Sequence, residues 1–498
     1  METLGNLAFG LGVALTWQNL IYCFVGCFLG TLVGVLPGIG PVATVAMLLP
    51  FTFNLGPAPA LIMLAGIYYG AQYGGSTTAI LVNLPGETSA VVTCIDGYQM
   101  ARQGRAGPAL AIAALGSFFA GTVGTLLIAL AGPPLAEVAL KFGAPEYFSL
   151  MLMGLVAAAV LAQGDVMKSL AMVVLGLLLG IVGSDVNTGL HRYTFDIFEL
   201  SDGIGFIVIA VGVFAVGEIV TNLGNPERRE VFTSNVTNLM PTKADLKASA
   251  GPIVRGTILG SFFGVLPGTG PAIASFSSYM LEKKLAKDPS RFGKGAIEGV
   301  AGPEAANNAD AQTKFIPMLT LGLPASGVMA LMLGALTIQG IQPGPQVMTQ
   351  RPELFWGLIA SMWIGNAMLV ILNLPLIGLW VKLLKVPYRL LFPAIMAFSA
   401  IGIYSVNNSS FEIYLTAAFG IAGFLWLKLG FSPAPLLLGF VLGPMMEENL
   451  RRAMLMSKGD PSVFLTRPIS LAFIIATVLI LIVMIAPSVR KKREQIAE

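Results

Sequence analysis

The chain has 498 residues, 55% of them hydrophobic and only 11% charged, with a mean hydropathy of +0.79 and a net charge of +3. This balance excludes an ordinary soluble enzyme or nucleic-acid binder and reads as an all-α polytopic membrane protein, one continuous body rather than a string of globular domains. Cys23, Cys27 and Cys94 lie in or beside apolar segments, where small buried hydrophobes are expected rather than a disulfide framework or redox centre.

In chain order, the opening METLGNLAFG has no Lys or Arg ahead of its first apolar run, which argues against a cleaved signal peptide. Apolar runs near span length follow at 8–33, 109–131, 147–163, 169–184, 204–222, 354–380, 390–403, 413–429 and 469–487. Between them, 34–95 and 264–340 hold shorter, interrupted apolar segments. Counting those as broken helices or re-entrant hairpins gives about 10–12 membrane spans. The connections 223–250, 282–298 and 381–389 and the RKKRE tail are basic and so are expected in the cytoplasm, whereas 185–203, with Asp185, Asp196, Glu199 and Asp202, is acidic and is expected outside. One region conflicts. Residues 447–467 carry Arg451, Arg452, Lys458 and Arg467, yet counting spans back from the tail puts them outside unless 434–446 is re-entrant. Trp356, Trp363 and Trp380, on the 354–380 run, are read as interfacial anchors or packing residues.

The run GTLVGVLPGIGP, Gly30 to Pro41, recurs as GSFFGVLPGTGP, Gly260 to Pro271, and over 26–41 and 256–271 ten of sixteen positions are identical at an offset of 230. NLPGETS, from Asn83, aligns with GLPASG, from Gly322, at an offset of 239. The chain is therefore read as a duplicated unit. Residues 1–222 form the first repeat with motif region 26–95, 223–250 a cytoplasmic linker, and 251–498 the second repeat with motif region 256–340. Loop charge puts the two copies in opposite orientations, and inverted repeats with broken helices are the architecture of secondary transporters.

Gly26, Gly30 and Gly34, like Gly256, Gly260 and Gly264, recur every four residues and give a helix face on which another helix can pack closely. The Pro-Gly-x-Gly-Pro segments break their helices and free backbone groups, which cost several kcal/mol each in hydrocarbon unless they line a cavity or meet protein. A structural kink satisfied by neighbouring helices is one reading. The other is a binding site, in which the half-helices starting at Pro41 and Pro271 turn positive N-terminal ends toward a carboxylate or phosphate oxygen. On that reading the substrate-binding candidates are Pro37, Gly38, Gly40 and Pro41 in the first copy and Pro267, Gly268, Thr269 and Gly270 in the second. Asn83, Pro85, Gly86, Thr88 and Ser89 join them from NLPGETS, and Pro324, Ser326 and Gly327 from GLPASG. Polar side chains crowd the same apolar regions, and Gln72, Ser76, Thr77, Asn307, Asn308 and Asp310 are the candidates for a coupling ion, Na+ or H+. Glu304 and Lys314 are also suspects, although Asp310 and Lys314, four residues apart, could equally form a structural ion pair. Glu87 and Asp96 are expected near the cytoplasmic end, exposed to solvent.

With GVLPGIGP, GVLPGTGP, NLPGETS, GLPASG, GFVLGPMMEENLRRAML and GDPSVFLTRP together, the chain resembles the large membrane subunit, TctA, of the tripartite tricarboxylate transporters over essentially its whole length. The resemblance implies a multi-pass protein of the bacterial inner membrane that imports citrate-like or related carboxylates on an ion gradient. It also implies a small TctB-like membrane subunit and a periplasmic TctC-like binding protein as partners; a homodimer of the membrane complex is a further candidate state. No cofactor is expected beyond the coupling ion. The chain lacks the G-x-x-x-x-G-K-[ST] cradle of an ATP-driven pump, and its single histidine, His191, lies in an outer loop, so no enzyme is expected. The alternative is a channel with re-entrant filter hairpins. Alternating access is the expected mechanism, with elevator motion inferred by analogy to other carriers that have paired hairpins.

Overall fold

The computed structural model describes residues 2–36, 38–161, 165–185, 187–223, 236, 239–384 and 388–485. Helix accounts for 78% of the structure, so backbone polar groups are satisfied within segments, as a lipid environment requires. Among the described residues five helices are long and apolar enough to cross a membrane, Trp17–Gly34, Ala106–Ala139 and Pro352–Asn373 among them, and several shorter helices are also apolar. In the loop after Val166–Gly180, Gly183–Ser184 pairs antiparallel with His191–Arg192.

Two helix pairs form the frame of the site. Trp17–Gly34 lies along Pro57–Val82, and Lys243–Val265 lies along Glu298–Thr313. In the first pair a Cβ on Gly26, Gly30 or Gly34 would fall 2.3, 2.3 and 2.4 Å from the carbonyl oxygens of Met63, Ile67 and Ala71. In the second, a Cβ on Gly256, Gly260 or Gly264 would fall 2.2, 2.1 and 2.5 Å from those of Gly302, Ala306 and Asp310. Only glycine allows backbones this close, and the partners are 239 positions apart, the offset that relates NLPGETS to GLPASG. A left-handed residue closes the helical segment at the same offset in both, Asn83 (φ 58) after Pro57–Val82 and Gly322 (φ 70) after Phe315–Leu321, the short helix that follows Glu298–Thr313. Asn tolerates that conformation better than other residues with a Cβ.

Several expectations change. Residues 34–95 are not mainly interrupted: Pro57–Val82 is one 26-residue helix, opened by a proline at its first turn and buried along most of its length. Its polar residues hid that continuity. The 354–380 run is not one span, because Pro352–Asn373 ends and Ile377–Leu383 begins on either side of Pro375. Trp356 and Trp380 are packing residues at 2% and 1% exposure, and Trp380 Nε1 donates to the Leu372 carbonyl at 2.9 Å. Trp363 Nε1 donates to the Thr122 carbonyl at 3.2 Å.

The charge conflict near the C-terminus also has a physical source. Ala434–Met456 runs unbroken through 434–446, and Arg451 reaches Asp185 at 2.7 Å while Arg192 reaches Glu447 at 3.0 Å. Residues 447–451 therefore lie beside the acidic 185–203 loop, and their positive charges are paired. The Asn187 N–H, with the Arg451 and Arg192 guanidiniums, holds the Asp185 carboxyl down at about 2. Arg467 pairs with Glu146 at 2.6 Å. A residue count of positive charge cannot see such pairing.

Candidate functional site

The first broken tip follows Gly34. Gly38 turns the chain at φ 81 and Gly40 leads into the half-helix Pro41–Leu48. The second repeats it: Gly268 turns at φ 81 and Gly270 leads into Pro271–Leu285. A positive φ of this size costs a residue with a Cβ about 1–2 kcal/mol, which accounts for glycine at both turns. Pro37 lies outside the described residues.

The structure brings most of the sequence candidates into one region. A Cβ on Gly86 would stand 3.0 Å from the Gly34 carbonyl and 2.4 Å from Gly75 Cα, so NLPGETS folds against the first tip. The Gly268 N–H donates to the Ala325 carbonyl at 3.1 Å, which ties GLPASG to the second tip. A Cβ on Gly327 would be 3.6 Å from Val42, so the second repeat's loop abuts the first repeat's half-helix. Ser326 caps Gly327–Ile338 by accepting from the Met329 N–H, and Ser89 is buried just before Ala90–Thr93. Asn83 and Thr88 are exposed and Pro85 half-buried, while Pro41 and Pro324 are buried. Pro267 and Gly270 are half-buried, and Thr269, although it stands in the tip, spends its hydroxyl on the carbonyls of Phe263 and Leu266.

The first tip meets residues that the sequence reading passed over. Glu218 Oε1 accepts from the Gly40 N–H at 3.4 Å, and Asn222 Nδ2 donates to the Gly38 carbonyl. An internal carboxylate thus stands at the positive end of Pro41–Leu48. The signal was present, because Glu218 is the one acid in the apolar run 204–222, and an ionisable residue at membrane depth is a functional suspect by default.

The polar candidates divide by what they touch. Thr77 donates to the Tyr73 carbonyl, and Gln72 is fully buried beside Tyr68. Asn308 donates to Ser117, which joins Glu298–Thr313 to Ala106–Ala139, and to the Glu304 carbonyl within its own helix. Asp310 and Lys314, both 0% exposed, form the ion pair that the spacing allowed. Ser76 instead donates to Glu304 Oε2 at 2.7 Å, Thr93 donates to Glu304 Oε1, and Asn307 donates to Glu87 Oε1 at 2.8 Å. These bonds join Pro57–Val82 and the segment around Glu87 and Thr93 to Glu298–Thr313.

Glu87 and Asp96 are not exposed to solvent. Glu87 is 9% exposed, and Asp96, fully buried, accepts the N–H groups of Gly293, Gly295 and Ala296 at 2.8–2.9 Å and the Tyr279 hydroxyl at 2.9 Å. Four donors let an ionised carboxylate stay buried, and here they fasten the first repeat to the connection before Glu298–Thr313. Cys23 and Cys27 are buried free thiols and Cys94 a partly buried one.

The family model for the tripartite tricarboxylate transporter TctA family matches residues 20–438. The chain is 62% identical over 496 residues, covering 100% of this chain and 99% of the relative, to an uncharacterized 52.8 kDa protein in the TAR-I ttuC' 3' region of Agrobacterium vitis. It is 60% identical over 237 residues, 48% of this chain and 98% of the relative, to an uncharacterized protein in the TAR-II ttuC' 3' region of the same organism. No solved structure matches it. A multi-pass helical membrane protein whose paired glycine-proline tips fall within the matched span, this chain belongs to the tripartite tricarboxylate transporter TctA family.

Proposed function

We propose that the chain is the large transmembrane subunit of a binding-protein-dependent secondary transporter that imports a citrate-like tricarboxylate or related carboxylate. What supports this reading is that the two tips share one backbone turn, at Gly38 and Gly268, and that the GLPASG loop touches both sides, through Ala325 on Gly268 and Gly327 beside Val42. Half-helix N-termini from two repeats turned toward one region suit an anion with several carboxylates. The substrate contacts are the tip residues 37–41 and 267–270 with the loops 83–89 and 324–327. The repeats, 1–222 and 251–498 about the linker 223–250, are inverted, and alternating access proceeds by an elevator motion of the tip-bearing segments. The tips pack closely against Ala157, Ala158 and Asn222, so substrate entry requires these segments to move.

Partners in this reading are a small TctB-like membrane subunit and a periplasmic TctC-like binding protein, with the membrane complex, as a homodimer, in the bacterial inner membrane. An ion gradient drives import through the polar cluster of Gln72, Ser76, Thr77, Asn307, Asn308 and Asp310, and no chemical step is catalysed. The test is uptake of labelled citrate and dicarboxylates into proteoliposomes holding the chain and its partner subunits, with Na+ and H+ gradients imposed separately. Uptake that accumulates substrate against its own gradient is expected. Flux that only equilibrates substrate would instead describe a channel.

A further inference from the structure

We propose that a sodium ion binds at the polar side of a small cavity at Glu304, between the two repeats. The cavity is about 10 Å³; its polar side is formed by Tyr73, Ser76 and Thr77 of Pro57–Val82, Ser117 of Ala106–Ala139, Glu304 of Glu298–Thr313 and Asn373 at the end of Pro352–Asn373, and apolar side chains close the rest. That is about the space one water-sized species fills. Every polar lining side chain offers an oxygen, which is the ligand set of a hard cation.

Two further observations point to an occupant. Tyr73 and Asn373 are 5% and 4% exposed, and Tyr73 Oη and Asn373 Oδ1 have no hydrogen-bond partner among the described residues. Buried oxygens left unpaired are costly, and a cation between them would satisfy both. Glu304, 1% exposed, accepts two hydroxyl hydrogens, yet no Lys or Arg pairs with it among the described residues. A second carboxylate, Glu87, lies within electrostatic reach of Glu304; Lys314, ion-paired with Asp310, lies within reach of Glu87 and offsets part of that charge. Tyr73 and Cys94 are further titratable neighbours of Glu304 among the described residues. A buried carboxylate without a counter-charge takes up a proton or a cation, and the unpaired oxygens favour the cation.

The inference deepens the transport reading and rests on it for the ion's use, since the cavity joins helices of both repeats and an ion there would report their relative position. Among the coupling candidates it selects Ser76 and Thr77, adds Glu304, Tyr73 and Asn373, and assigns Asp310 a structural pair.

The test is thermal unfolding of the purified full-length chain in detergent, titrated with NaCl against choline chloride at constant ionic strength and pH. A ligand that binds only the folded state raises Tm with concentration. Saturable stabilisation by Na+ is expected, abolished in Glu304→Gln. Tyr73→Phe, which removes one oxygen, and Asn373→Ala, which removes Oδ1 together with the amide that donates to the Leu369 carbonyl, should raise the half-saturating Na+ concentration about tenfold or more. An unchanged Na+ response in Tyr73→Phe and Asn373→Ala would overturn the proposal, as would stabilisation that follows pH and ignores Na+. The readout needs no substrate. Glu304-dependent stabilisation with no carboxylate uptake would sink the transport reading alone, and uptake with no Na+ response would sink the site alone.

Discussion

At Gly38 and Gly268 the backbone turns through the same φ of 81, yet different groups meet the two turns. The first is held by side chains, Asn222 on the Gly38 carbonyl and Glu218 on the Gly40 N–H. The second is held by backbone, with Gly268 bonded to Ala325 and packed on Ala157 and Ala158, and the Gly270 N–H has no partner among the described residues. The same division appears along the frame helices. Where the first repeat has Ala65, Ala71 and Gly75, the second, 239 positions on, has Glu304, Asp310 and Lys314. What the two motif regions share is what the backbone demands, namely glycine stripes, positive-φ turns and left-handed caps. Along the frame helices the buried charges sit in the second copy only, so two similar segments need not do the same work.

The sharpest way to break this comparison is at the glycine stripes, where the halves should behave alike. Gly30→Ile and Gly260→Ile would each drive a side chain into a carbonyl, the Ile67 or the Ala306 oxygen, at a cost of at least about 3 kcal/mol. Both variants should fail to give monodisperse protein in size-exclusion chromatography; a well-folded Gly260→Ile would show that the frames are not equivalent.

The turns themselves should differ. Both Gly38→Ala and Gly268→Ala incur positive-φ strain of about 1–2 kcal/mol. At Gly268, however, the new Cβ would also stand 2.6 Å from Ala158 Cα, a backbone atom, whereas at Gly38 its nearest neighbour is the Asn222 amide, which can swing away. Thermal unfolding should show the larger drop for Gly268→Ala. Equal drops would mean that Ala157 and Ala158 yield as easily as a side chain.

A smaller effect is expected from Glu218→Ala, which frees the Gly40 N–H and removes a negative charge from the end of Pro41–Leu48. The half-saturating carboxylate concentration for uptake should fall a few-fold, in line with about 1 kcal/mol for a charge at a helix end. An unchanged or higher value would show that the first tip takes no part in anion binding.

The smallest effect concerns the start of the second frame helix, for which the first repeat has no matching device. Although burial alone would raise it, the Thr242 hydroxyl and N–H and the Arg105 guanidinium, 2.5 Å away, hold the Asp245 carboxyl below its ordinary value. A depressed folded pKa contributes stability that is full above the unfolded value of about 4 and is lost as pH falls through the folded one. Wild-type Tm should therefore decline on acidification below about pH 4 more steeply than that of Asp245→Asn, which lacks the capping box carboxylate worth about 1 kcal/mol. Parallel declines would remove Asp245 from the account.

Much of this frame was legible in the sequence because glycine and proline act through the backbone, and their spacing at offsets of 230 and 239 survives as packing distances and dihedral angles. The helix Pro57–Val82 was harder to see, since hydropathy cannot tell a polar residue that interrupts a helix from one such as Ser76 that bonds across to Glu304. Glu218, Asn222 and Thr93 were missed for a related reason: each matters through a partner more than a hundred residues away in sequence. Asp96 looked exposed because its donors, Gly293, Gly295 and Ala296, are backbone groups that carry no residue signature.

The convergence of both tips on a single anion is tested most directly by hydrogen–deuterium exchange on the assembled transporter, with and without the carboxylate that it takes up. The account predicts slowed exchange in peptides covering 38–44 and 268–274 together, with the greater change at Gly270, whose amide is free to bind. Protection confined to one tip, or to neither while the carboxylate binds, would contradict it.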